Sequence, residues 1–291
     1  MTSRFPRLAV VGALTNAFIW GVSWLPLRWL EARGVAALWV TCFIFATCTL
    51  AVAITRPRSV AFFFSTPKLL WLAAAAGLTN VFFNAALVMG DVVRAVLLFY
   101  LMPVWVVVLA RMLLGERISA AALVRVALAL LGAALVLGKG ELALPIPRSL
   151  PDWLAVGGGF MFGLNNVLLR KFSNTPDEAR AFGIFIGGAV LPPLAIALLA
   201  ALGVATAAPV LSTPVVLGLA GFAVAVLIAN LALQYAAPKL TANTLSLIMI
   251  SEVLFATISS VLLGDATLSP AILLGGALIV SASLLAVFQK H

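Results

Sequence analysis

The chain has 291 residues, 64% of them hydrophobic and 9% charged, with a mean hydropathy of +1.20, far more apolar side chain than a domain facing water has use for. Its net charge of +9 comes from Lys and Arg scattered singly between apolar runs, which excludes a nucleic-acid patch and leaves charges that orient loops. The single histidine is His291, the last residue, so His-based metal sites and triads are excluded on inventory.

Apolar runs of about 20 residues read as membrane spans, and ten follow one another: Leu8 to Leu30, Val35 to Thr55, Leu69 to Met89, Ala95 to Leu114, Ala120 to Gly138, Asp152 to Phe172, Ala181 to Leu202, Thr213 to Tyr235, Ala242 to Leu263 and Pro270 to Phe288. The first has the basic start of a signal peptide, but its apolar run continues through Trp24 and many spans follow, so an uncleaved first helix is expected. Cys42 and Cys48 both lie inside the second span, at a spacing that suits neither a disulfide framework nor zinc, and read as packing residues. Short connections rich in turn formers, such as Glu31 to Gly34, Gly115 to Ser119 and Gly264 to Pro270, leave no room for an extramembrane domain.

Lys and Arg accumulate on the cytoplasmic side of a membrane protein. Thirteen of the eighteen, among them Arg56, Lys68, Arg111, Arg170, Arg180 and Lys239, fall on the side of the N-terminus, and only Arg28, Arg33, Arg94, Lys139 and Arg148 fall on the other. Both termini are therefore expected in the cytoplasm, which requires an even number of spans.

The two halves, 1–141 and 142–291, read as copies. Gly21 and Arg28 match Gly163 and Arg170 at an offset of 142, Asn84 matches Asn230 at 146, and Leu113-Leu114-Gly115-Glu116 matches Leu262-Leu263-Gly264-Asp265 at 149, an offset that places Glu252 opposite Pro103. Five spans per copy is an odd number, so the second copy is expected upside down relative to the first. Inverted repeats place a substrate site near the midplane, where exchange of the copies' conformations gives alternating access.

Polar side chains in mid-span point away from lipid and indicate the cavity. Asn16, Trp20, Ser23 and Trp24 share one face of the first span; Asn80 and Asn84 are four apart in the third; Phe162 shares a face with Asn165 and Asn166 in the sixth; Asn230 and Gln234 are four apart in the eighth. Tyr100 and Met102 precede Pro103, which interrupts the fourth helix. Ser246, Met249, Ser251 and Glu252 complete the set in the ninth. Each amide has the plainer reading of an interhelical hydrogen bond. Glu252 reads either as a functional acid or as one neutralised or held by neighbouring Ser and Asn. Trp29, Trp39, Trp71 and Trp153 suit interfacial belts, and Gly157-Gly158-Gly159, Gly183 with Gly187, and Gly275-Gly276 suit close helix packing.

With the Trp20-Gly21 step, Pro103 followed by Leu113-Leu114-Gly115-Glu116, the later Leu262-Leu263-Gly264-Asp265 and the five-plus-five duplication, the chain resembles the drug/metabolite transporter superfamily. Within it, the chain looks like the EamA-type ten-helix exporters, in particular the branch that exports aromatic and other amino acids. It departs from them at Glu252, where the family's second copy often has proline. The resemblance implies a multi-pass exporter of the bacterial inner membrane, with a central cavity lined by the first, third, fourth, sixth, eighth and ninth helices. An all-α membrane protein is thus expected, a secondary transporter of small metabolites and foremost amino acids, without cofactor or metal, acting as a monomer or a homodimer. Its partners are a small-molecule substrate and the lipid bilayer. A multidrug or nucleotide-sugar carrier of the same fold is the alternative. An intramembrane enzyme is disfavoured, since no His or second carboxylate accompanies Glu252.

Overall fold

The computed structural model describes residues 7–90, 92–137, 146–201, 203, 208–263 and 269–287, and no strand occurs among them. In chain order the helices are α1 (Arg7–Gly21), α2 (Trp24–Glu31), α3 (Ala37–Thr55), α4 (Pro57–Phe64), α5 (Leu70–Met89), α6 (Val92–Phe99), α7 (Met102–Leu114), α8 (Ala120–Leu137), α9 (Leu150–Lys171), α10 (Asp177–Ala201), α11 (Thr213–Ala236), α12 (Ala242–Met249), α13 (Glu252–Leu262) and α14 (Pro270–Val287), with 3-10 turns at Pro67–Leu69 and Ala237–Lys239. Gly264, Asp265, His291 and the boundary between the two expected copies lie outside the described residues.

Among the described residues, seven helical stretches are long and apolar enough to cross a membrane: Arg7–Glu31, Ala37–Thr55, Pro67–Leu87, Ala95–Leu114, Asp177–Ala201, Thr213–Lys239 and Thr244–Leu262. Ala120–Leu135 and Pro270–Ala282 are shorter apolar helices. At 22 residues α9 has the length of a span, but its three successive glycines and the Asn165-Asn166 pair dilute its hydropathy. The outer surface is studded with large apolar side chains such as Leu8, Val11, Phe18, Leu194 and Leu217, each about half exposed or more, which only lipid accommodates.

Three of the expected continuous spans are each two helices, and the local chemistry explains where they break. Pro26 has no N–H to return to the Val22 carbonyl, so the turn tightens and Leu25 N donates there instead (3.2 Å), separating α1 from α2. Pro103 withdraws the partner of the Phe99 carbonyl in the same way, and Leu101 N bonds back three residues to Leu98, between α6 and α7. No proline stands at the third break. There the Ser251 hydroxyl donates to the Ile248 carbonyl at 2.6 Å, and Ser251, Val253 and Leu254 all take i−3 bonds, separating α12 from α13.

The helices pack reciprocally between the halves. α1 lies against α11, α12 and α13, as α9 lies against α5, α6 and α7; α3 lies against α11 as α10 lies against α5; and α3 with α10, α7 with α12, and α8 with α14 pair across the two halves. The glycines carry this to particular residues. A Cβ on Gly21 would stand 2.6 Å from Phe255 Cβ and 2.7 Å from the Glu252 carbonyl, while one on Gly163 would meet Trp105, Val106 and the Met102 carbonyl. At the sequence offsets of 142 and 149, Gly163 corresponds to Gly21 and Val106 to Phe255.

One end of the bundle is tied by polar contacts between loops. Arg56, after α3, pairs with Glu178 at 3.6 Å; Lys68 lies over the Phe172 ring; Arg170 donates to the Pro238 carbonyl. At the end of α7, Gly115 takes a left-handed φ of 72° that glycine adopts without strain, and Glu116 accepts from Ala242 N at the start of α12 (3.5 Å). Arg180 is fully buried at this end. Its guanidinium donates to the Gln234 side chain and carbonyl (both 3.2 Å), to the Phe172 and Thr175 carbonyls and to Asp177 (2.6 Å), the dense pairing a buried cation requires.

Among the described glycines, Gly187 of α10 has the tightest surroundings, since a Cβ there would stand 2.0 Å from the Ala73 carbonyl of α5. Because backbone stands on both sides, Gly187→Ala forces the helices apart and is expected to lower stability by about 1–3 kcal/mol. Gly221→Ala, where a Cβ meets nothing within 4 Å, leaves stability unchanged or raises it. Thermal denaturation of the two variants in detergent measures the contrast.

Candidate functional site

A cavity of about 400 Å³ lies where the two halves meet. α1 and α2 contribute Asn16, Trp20, Gly21, Ser23, Trp24 and Leu27; α5 contributes Ala76, Thr79, Asn80 and Phe83; the α6–α7 break contributes Val96, Phe99, Tyr100 and Met102. From the second half come Phe162 and Asn165 of α9, Asn230 and Leu233 of α11, and Met249, Glu252, Val253, Ala256 and Thr257 around the α12–α13 break. Phe45 of α3 and Ile184 of α10 add a contribution from the second and seventh expected spans, beyond the six helices that the family resemblance implies. All three helix breaks therefore open onto one space.

Twelve of the eighteen residues expected from sequence line it: Asn16, Trp20, Ser23, Trp24, Asn80, Tyr100, Met102, Phe162, Asn165, Asn230, Met249 and Glu252. The other six lie off it. Asn84 Nδ2 donates to the Asn80 carbonyl (2.8 Å) and to Thr41 Oγ1 (3.4 Å), and Gln234 is held by Arg180. Pro103 and Asn166 are buried in the packing of α7 and α9. Ser246 is fully buried on α12, and Ser251 turns its hydroxyl back to the Ile248 carbonyl. The reason is common to all six: helical periodicity assigns a residue to a face, whereas depth and neighbours decide whether that face reaches open space.

Sequence reasoning did not single out Leu27, Phe45, Thr79, Phe83, Phe99 or Thr257. For Thr79 and Phe83 a signal existed, since they flank Asn80 on the same helical face. For Phe45 and Phe99 there was none, because Phe18 and Phe64 are just as apolar in sequence and are exposed on the outer surface.

The cavity wall is aromatic, with Phe99 at its centre. The Phe99 ring lies 4.5 Å from Phe83, 5.5 Å from Phe162 and 6.0 Å from Tyr100, centroid to centroid, in the tilted and edge-on arrangements that aromatic pairs favour. Trp24 is fixed by its indole N–H, which donates to Ser259 Oγ at 2.9 Å. Among the described lining residues Glu252 is the one charged side chain, and the Tyr100 hydroxyl donates a hydrogen bond to its carboxyl. This bond joins the first residue of α13 to the break before α7, one from each half. Gly21 makes the neighbourhood possible, because only a residue without a side chain lets α1 rest on the Glu252 backbone.

Residues 7–138, from α1 to the end of α8, match the family model described as EamA-like transporter family. No curated protein matches the sequence. Among solved structures 29 chains match. One, described only as the crystal structure of a protein, has a TM-score of 0.77 at 22% identity, covering 96% of this chain and 95% of its own; that likeness shows the fold. The chain is thus a multi-pass membrane protein that over residues 7–138 is similar to the EamA-like transporter family.

Because Tyr100 and Glu252 share one hydrogen bond across the halves, Tyr100→Phe and Glu252→Gln should not act independently. Thermal stabilities of the two single variants and the double variant are expected to give a coupling energy of about 1 kcal/mol or more. Strict additivity would show that the pair is not joined.

Proposed function

We propose that the protein is a secondary transporter that moves small amphipathic metabolites bearing an amino group, the class to which amino acids belong, outward across the bacterial inner membrane by alternating access. The observation that carries this reading is the central cavity, in which a single carboxylate stands among aromatic rings where three broken helices meet. Its volume of about 400 Å³ lies in the range of small-molecule sites. In the proposed role Glu252 either meets the ammonium group or carries a proton in exchange, while Trp20, Trp24, Tyr100 and Phe162 contact the apolar part.

Reciprocal packing supports ten crossings in two inverted halves, since each half presents to the other the contacts that it receives. Loops carrying Arg56, Lys68, Arg170, Arg180 and Lys239 meet at one end of the bundle, and in our reading that basic end faces the cytoplasm. A carrier of cationic drugs shares the acid and the aromatics. A nucleotide-sugar carrier lacks support, because no Lys or Arg is among the described lining residues and a phosphate needs several cations. A hydrolytic enzyme would need a second carboxylate, a His or a Lys beside Glu252, and none lines the cavity among the described residues.

Purified protein in liposomes is expected to move labelled amine-bearing metabolites, with the rate changed by a pH gradient, and Glu252→Gln is expected to abolish both the flux and its pH response. Absence of flux over a broad panel of amino acids and amines defeats the transport reading; a Gln variant with unaltered rate and pH response makes the acid structural.

A further inference from the structure

Several donors around the cavity are engaged by the protein itself. Thr79 Oγ1 donates to the Ala75 carbonyl (2.7 Å) and Thr257 Oγ1 to the Val253 carbonyl (2.8 Å), so each hydroxyl's only proton is engaged and its lone pairs remain. Asn80, Asn230 and Asn16 each donate an amide proton to a backbone carbonyl, those of Ala76 (2.9 Å), Val226 (3.0 Å) and Ala229 (2.8 Å). In each case the carbonyl neighbour requires the NH2 group on that side. The Trp24 indole N–H is held by Ser259, and the Tyr100 hydroxyl by Glu252. Seven donor protons on this wall are thus directed into protein while each asparagine keeps a second N–H, and the charge that the described wall offers a ligand is the Glu252 carboxylate, with the Thr79 and Thr257 oxygens as acceptors.

A ligand that satisfies such a wall brings its own donors and a positive charge. We infer that the cavity selects a primary ammonium group on an apolar, aromatic-compatible body with no free carboxylate beside it: a primary amine, or an amino acid whose carboxylate is masked. This narrows the transport reading and rests on it for the site, but it concerns recognition alone. Three features favour an N–H-bearing cation over a quaternary one or a zwitterion. The acceptors of Glu252, Thr79 and Thr257 need protons to bind, and a quaternary ammonium has none. The rings of Trp20, Trp24 and Phe99 stabilise the positive charge without needing a hydrogen-bond donor. An α-carboxylate, one carbon from the ammonium, would be drawn against Glu252 with no Lys or Arg on the described wall to offset the repulsion.

Quenching of the intrinsic tryptophan fluorescence of the purified full-length protein, with binding checked by calorimetry, tests this on four related probes: phenethylamine, its N,N,N-trimethyl derivative, phenylalanine and phenylalanine methyl ester. Phenethylamine and the ester are expected to bind at least about tenfold more tightly than the other two. Thr79→Val with Thr257→Val, which removes acceptors while conserving shape, is expected to erase the preference for the primary over the trimethylated amine even if Glu252→Gln fails to fold. Phenylalanine binding as tightly as the amine, the trimethyl derivative binding equally, or no probe binding overturns the inference. Its failure and that of transport are separable: flux of amino acids without preference for amines sinks this proposal alone, and tight amine binding without flux sinks only the transport reading.

Discussion

In an apolar medium a backbone carbonyl that loses its helical partner has no water to turn to, so every interruption of a span has to be absorbed by local geometry or by a polar space inside the protein. This chain interrupts three spans, two by proline and one by a serine that bonds back along its own helix. In each the turn tightens to i−3 bonding, so the helix bends without unravelling. The three bends converge, and the cavity is the space they share. The rest of the arrangement serves to keep them opposite one another.

Close packing performs that service, and small residues permit it. Gly21 brings α1 onto the backbone of Glu252, Gly163 does the same for α9 at the start of α7, Gly187 lets α10 touch the α5 backbone, and Gly132 and Gly275 meet between α8 and α14. With lipid as apolar as the helices themselves, association depends on such fit and on a few hydrogen bonds. Long polar side chains then work where the bundle meets water: the Arg180 guanidinium ties the loop after α9 to the end of α11. Polar chemistry is thereby divided between a clamped end and a central chamber.

Inside the chamber, part of the polar wall is satisfied by the helices themselves. Threonine and asparagine side chains return protons to the carbonyl four residues back, which leaves the threonine hydroxyls only lone pairs to offer. Glu252 adds a carboxyl to which Tyr100, from the opposite half, donates. At the sequence offset of 149 Glu252 falls opposite Pro103, so the first half carries no carboxylate at the matching position.

Much of this was legible in the residues alone. Length and hydropathy determined a multi-pass helical membrane protein, because nothing else accommodates such composition; Pro103 marked a helix break, because proline removes a donor wherever it stands; and the depth of Glu252 marked the chamber. Periodicity also placed Asn16, Trp20 and Trp24 on one face. What the sequence did not contain was distance along the neighbouring helix. Asn230 and Gln234 share a face, yet one lines the chamber while the other, a turn further on, is taken by Arg180, which its position at a span end had marked only as a loop charge. Phe45 and Phe99 line the chamber while Phe18 faces outward, a distinction between identical side chains that tertiary packing alone makes, because burial is a property of neighbours and not of the residue.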